Sequence, residues 1–94
     1  MMDEDEMDEY EIYRELDRML PAHVYRKLGE ADVAAGEPEF GITALLDAAS
    51  VAGCLTDEII QFMREQFDDD SLVIQFVEDL LEIRERRRAQ NANS

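Results

Sequence analysis

Chemistry near neutral pH falls mostly to imidazole, thiol and paired carboxylates. This chain holds one histidine, His23, one cysteine, Cys54, and a run of three carboxylates, Asp68, Asp69 and Asp70. One imidazole and one thiol do not make a His–Cys metal set, and a lone histidine near a helix start is ordinarily a surface group or one satisfied by a neighbour. Cys54 follows the cap glycine Gly53 and precedes Leu55, the setting of a small apolar filler, and without a second cysteine no internal disulfide can form. The aspartate run lacks the spaced oxygen ligands, central glycine and distal glutamate of a calcium loop. It reads as a solvated turn in which Asp70 or Ser71 caps the next helix. No Gly-rich phosphate loop or nucleophile elbow occurs in the 94 residues. The chain therefore reads as a non-enzyme that needs no cofactor and no metal.

Charge is the stronger signal. The formal net charge is -15. Between Leu28 and Ile83 there are 14 acids (Glu30, Asp32, Glu37, Glu39, Asp47, Asp57, Glu58, Glu65, Asp68, Asp69, Asp70, Glu78, Asp79, Glu82) and one base, Arg64. That stretch is also the apolar, helix-patterned part, so the charge belongs to a folded body, which carries a self-repulsion penalty. A basic partner is the expected compensation. Phosphates would be repelled, which argues against nucleic acid and anionic membranes as ligands. No apolar run approaches 18 residues and no basic-then-apolar leader opens the sequence, so neither a transmembrane helix nor a secretory signal is expected, and a cytoplasmic location follows. Glu37 and Asp57 have roles at helix starts. The acids least needed by the fold are Glu39, Asp47, Asp68, Asp69 and Asp70, and these are the expected partner contacts; Tyr13 and Tyr25 suit amphipathic anchors and equally suit partial burial in the core.

The elements that must carry these residues are helical. The chain has the length of one domain, and at this size about 60–65% of the unfolded surface can be buried. Residues 1–9 read as an acidic arm, 10–88 as the helical domain and 89–94 as a polar tail. Ile12, Leu16, Met19 and Leu20 recur at helical spacing until Pro21 closes the first helix. Pro21 to Ala35 reads as the second, with Val24, Leu28, Ala31 and Ala35 inward and Gly36 as its left-handed cap. Pro38 to Ala52 reads as the third, with Ile42, Leu45, Leu46 and Ala49 inward and Gly53 ending it. Thr56 caps a fourth, carrying Ile59, Ile60, Met63 and Phe67. Leu72 to Arg87 reads as a fifth, with Val73, Ile74, Phe76, Val77, Leu80, Leu81 and Ile83 apolar. Arg84, Arg86, Arg87 and Arg88 sit at its negative dipole end, where they can pair with Glu82, Glu85 or the acidic arm. No segment alternates with period two. The predicted fold is all-α, a compact bundle of four to five short helices.

At the junction of the second and third helices the sequence reads Gly36-Glu37-Pro38-Glu39-Phe40-Gly41-Ile42-Thr43-Ala44-Leu45-Leu46-Asp47. This resembles the MafI family of small bacterial immunity proteins, in which a Gly-Glu pair precedes an apolar-small-apolar step, a leucine and an acidic position on one helix. The approach through Leu20, Val24, Leu28 and Ala31 and the Leu55-Thr56-Asp57-Glu58 turn are also similar, so the resemblance spans Tyr10 to Phe67. The chain differs in carrying Pro38 and Gly41 and in adding a long helix after Asp70. The resemblance implies binding and blocking a cognate polymorphic toxin, often a nuclease. Charge alone points the same way, because nucleases gather phosphates with lysine and arginine and an acidic helical surface can occupy that site. Two alternatives stand beside this one: a nucleic-acid mimic of the anti-restriction or anti-CRISPR type, and a helical adaptor whose apolar fifth helix docks on a partner.

Overall fold

The computed structural model describes residues 7–92. It is an all-α bundle of α1 (Glu9–Met19), α2 (Lys27–Ala34), α3 (Pro38–Val51), α4 (Asp57–Gln66) and α5 (Leu72–Ala92). The third helix is the hub, packing against α1, α2 and α5, while α4 closes the bundle against α5 and α1. Ile42, Leu45, Leu46 and Ala49 of α3 have no exposed surface, and Leu16, Met63, Val73 and Val77 meet them from the surrounding helices. Each large aliphatic side chain buried there stabilises the fold by about 1.5–3 kcal/mol. No charged residue among those described is buried, so every carboxylate of the body faces outward or lies at an edge.

The helix ends follow from local chemistry. The carboxylate of Asp8 accepts a hydrogen bond from the Glu11 amide at 2.8 Å while Glu11 accepts one from the Asp8 amide at 3.2 Å, a reciprocal capping box. Asp8 and Glu9, the last residues of the acidic arm, are therefore the cap and first residue of α1; residues 1–6 of that arm lie outside the described residues. Thr56 Oγ1 accepts from the Ile59 amide at 3.2 Å, and Ser71 Oγ, not the Asp70 side chain, accepts from the Val73 amide at 3.0 Å to start α5. Gly36 (φ 83) and Gly53 (φ 73) take the left-handed conformation just past α2 and α3, where a Cβ would be strained.

Three expectations are corrected. The second helix begins at Lys27, not at Pro21. Arg26 is the reason: its guanidinium collects the carbonyl oxygens of Asp17 (3.0 Å), Leu20 (3.1 Å), Pro21 (3.0 Å) and Val24 (2.8 Å) and pairs with the Asp17 carboxylate. Those carbonyls satisfy the end of α1 and a turn closed by Val24 N–H to Pro21 O (3.2 Å), and the geometry is no longer helical. The inward face of α2 also differs. Val24 is buried, but Leu28 is 63% exposed and Ala31 and Ala35 are exposed; Gly29 faces the bundle instead. A Cβ on Gly29 would lie 3.2 Å from the carbonyl oxygen of Gly41, and one on Gly41 would lie 3.1 Å from that of Gly29, so α2 and α3 cross glycine on glycine at closer range than side chains allow. Finally, α5 runs past Arg87 to Ala92, making the proposed tail helical to that point. Nothing in Ala89-Gln90-Asn91-Ala92 breaks a helix, and the pairs Arg86–Glu82 (2.6 Å) and Arg88–Glu85 (3.5 Å) support its last turns.

Candidate partner-binding surface

The α2–α3 crossing leaves a furrow beside it. Leu28 and Asp32, one turn apart on α2, face Phe40, Ala44 and Asp47 of α3, and Phe76 of α5 closes the end of an open groove of about 440 Å³. Part of its lining is apolar and accessible: Leu28 is 63% exposed and Phe40 49%. Isolated exposed leucines are ordinary, but several apolar side chains converging on one concavity make a candidate contact surface. Asp32 and Asp47 line it as well, so apolar side chains and negative charge share one concavity.

Against this surface the predicted contacts divide. Asp47 lines the groove. Asp68, Asp69 and Asp70 are exposed in the turn before α5, six to eight residues ahead of Phe76 in the chain. Their backbone carbonyls, not their carboxylates, serve the turn: Asp68 O accepts from the Ser71 amide at 2.9 Å and Asp70 O from the Gln75 side chain at 3.3 Å. Tyr25 is exposed, just ahead of α2. Glu39 lies elsewhere, beside Glu9 where α3 and α1 begin. Burial, then the proximity of Glu39, and last the charge of Asp8, push the Glu9 carboxyl above its ordinary range.

Of the two readings open for Tyr13, the structure takes burial in the core, which removes it from the exposed contacts. It is 9% exposed, with its ring against both crossing glycines and its hydroxyl without a hydrogen-bond partner among the described residues. Burial, then the charges of Asp17 and Glu30, hold that phenol neutral by raising its pKa, against a lowering by Arg26. The helical period of α1 already placed position 13 beside Ile12 and Leu16; its polar tip made the surface reading attractive. The groove residues missed in the sequence, Leu28, Asp32, Phe40 and Phe76, carried a signal in their spacing. Leu28 and Asp32 are four apart, and Phe40, Ala44 and Asp47 fall at i, i+4 and i+7, each set on one helical face.

The fold also brings the single imidazole to the single thiol, with His23 Nε2 3.7 Å from Cys54 Sγ across 31 residues of chain. His23 makes no second hydrogen bond among the described residues that would fix its tautomer, and nothing else of a nucleophile–base–orienter set is assembled around it. Among the described residues no group of three or more His, Cys, Asp or Glu is arranged to hold a metal ion, and no helix is long and apolar enough to cross a membrane. The arrangement offers shape, apolar contact and negative charge. Comparison with protein-family models, with curated proteins and with solved structures finds no match to this chain.

Proposed function

We propose that this protein is an acidic binding module that neutralises a basic effector protein, in the manner of an immunity protein toward its toxin. The observation that carries the reading is the groove between α2, α3 and α5, lined by exposed Leu28 and Phe40 and by Asp32 and Asp47, on a body strongly biased toward carboxylates. Apolar anchors supply affinity once water is excluded, and the surrounding negative potential raises the rate of encounter with a lysine- and arginine-rich surface. A mimic that only copied phosphate spacing would have no use for an apolar floor, which favours a protein partner whose own side chains fill it. The resemblance around Gly36 to Asp47 supports a toxin as that partner.

The test is growth rescue. A basic toxin domain sought among the neighbouring genes is expressed with the wild-type chain or with Leu28→Lys/Phe40→Lys, both at exposed positions that leave the core untouched. Rescue by the wild type and its loss in the double variant, with folding verified by circular dichroism, is the expected result. Rescue by the variant removes the groove from the function, and failure of the wild type to protect removes the toxin reading.

A further inference from the structure

We infer that the cleft between the α3–α4 turn and the second half of α5 binds a phosphoryl anion. Its walls are Ser50, Gly53, Thr56 and Asp57 on one side and Arg84, Arg87 and Arg88 on the other, around a cavity of about 450 Å³. Three of the nine basic residues of a chain with net charge -15 thus converge on one concavity. The helix dipole does not account for them, because α5 continues to Ala92 and the dipole acts mainly within the last turn.

The donors there are only partly used. Arg84 gives one N–H to Leu55 O at 3.1 Å and approaches the Asp57 carboxylate at 3.8 Å, while its Nε is buried with no acceptor. Arg88 makes a long pair with Glu85 at 3.5 Å, and Arg87 has no ion pair among the described residues. Guanidinium forks match the oxygens of a phosphoryl group, and the cleft reaches Thr56 and Asp57 at the start of α4, where the positive end of the helix dipole favours an anion. Leu55 also lines the cleft. Asp57 opposes this charge, but its side chain is 97% exposed and free to turn into water. Free phosphates and the phosphate tail of a nucleotide share the required chemistry.

Titration of the full chain with inorganic pyrophosphate, followed by amide chemical shifts at constant ionic strength, tests the site. Saturable shifts confined to residues 53–57 and 84–88 are expected, with affinity reduced at least about tenfold in Arg87→Gln/Arg88→Gln and unchanged in Arg18→Gln, whose guanidinium pairs with Glu15 on α1. A parallel titration with ADP separates the sources: tighter binding of ADP identifies a nucleotide tail, and tighter binding of pyrophosphate identifies free anions. Shifts that fail to saturate, or that persist in the double variant, overturn the inference. Neither arginine lines the groove of α2 and α3, so failure here leaves the proposed function standing, and the converse also holds.

Discussion

Replacing Gly41 by alanine adds one methyl group where α2 and α3 come closest. In an ordinary helix interior that change stabilises by about 1 kcal/mol, because glycine has the greater backbone freedom to lose. Here the new carbon would stand 2.8 Å from Val33 Cγ2, 3.1 Å from the Gly29 carbonyl oxygen and 3.2 Å from the Tyr13 ring. Carbon atoms settle at about 3.5–4.0 Å, so the valine methyl must retreat by roughly 1 Å. Valine has little rotamer freedom with which to do so, and the carbonyl belongs to a helix backbone. The remaining response is for α2 to move off α3, and overpacking of this kind costs about 1–3 kcal/mol. Set against the propensity gain, the net is a loss of up to about 2 kcal/mol, which lowers Tm by up to roughly 15 °C for a domain of this size. Thermal melts followed by circular dichroism measure it. Val33→Ala/Gly41→Ala should recover part of the loss, since the partner atom at 2.8 Å is then gone, and the two changes should couple rather than add. A Gly41→Ala protein that melts at or above the wild-type temperature would refute close approach as the reason for glycine at this position.

Tyr13→Phe removes a buried hydroxyl that has no partner, so urea denaturation should find the variant as stable as the wild type or more stable, by up to about 1 kcal/mol; a clear destabilisation would reveal a hydrogen bond to that oxygen. The raised pKa of Glu9 means that the folded chain holds its proton more tightly than the unfolded one, so this group's contribution to stability declines as pH rises from its ordinary range through its folded value. Glu39→Gln should therefore raise Tm at pH 7, with the gain shrinking at acid pH as Glu9 takes up its proton; an equal gain at neutral and acid pH would exclude charge as the cause. Asp68→Asn/Asp69→Asn/Asp70→Asn should melt like the wild type, because Ser71 supplies the cap, yet weaken effector binding by at least about 2 kcal/mol in calorimetry; unchanged affinity would move the contact to the groove alone. Raising ionic strength should slow the on-rate while leaving the off-rate nearly constant, and an on-rate indifferent to salt would reduce the acidic surface to an aid to solubility.

Most of the architecture was legible because it is written in local rules. The apolar spacing of α1, α3, α4 and α5, the cap at Thr56 and the left-handed Gly36 and Gly53 are each decided within a few residues, and the structure places them as read. What escaped depends on partners distant in sequence. Nothing between Pro21 and Arg26 announces that Arg26 will turn back nine residues to the end of α1 and displace the start of α2. Nothing local to Gly29 says that it will meet Gly41, so an apolar Leu28 was assigned to the core when the neighbouring glycine had taken the inward place. The candidate surface suffered most from this shift, since the same rotation of α2 that hides Gly29 turns Leu28 outward into the groove.

The glycine crossing also decides which partner must adapt. With glycine backbone meeting glycine backbone between α2 and α3, and only the stiff Val33 and the Tyr13 ring beside them, the seam has few rotamers to rearrange, and Leu28, Asp32, Phe40 and Asp47 ride on what amounts to a single stiff pair of helices. A binding surface of this kind has already spent its ordering entropy during folding, and association need not repeat that cost. The conformational adjustment then falls to the incoming chain, so discrimination among related partners should lie in how well each can be moulded to a fixed template.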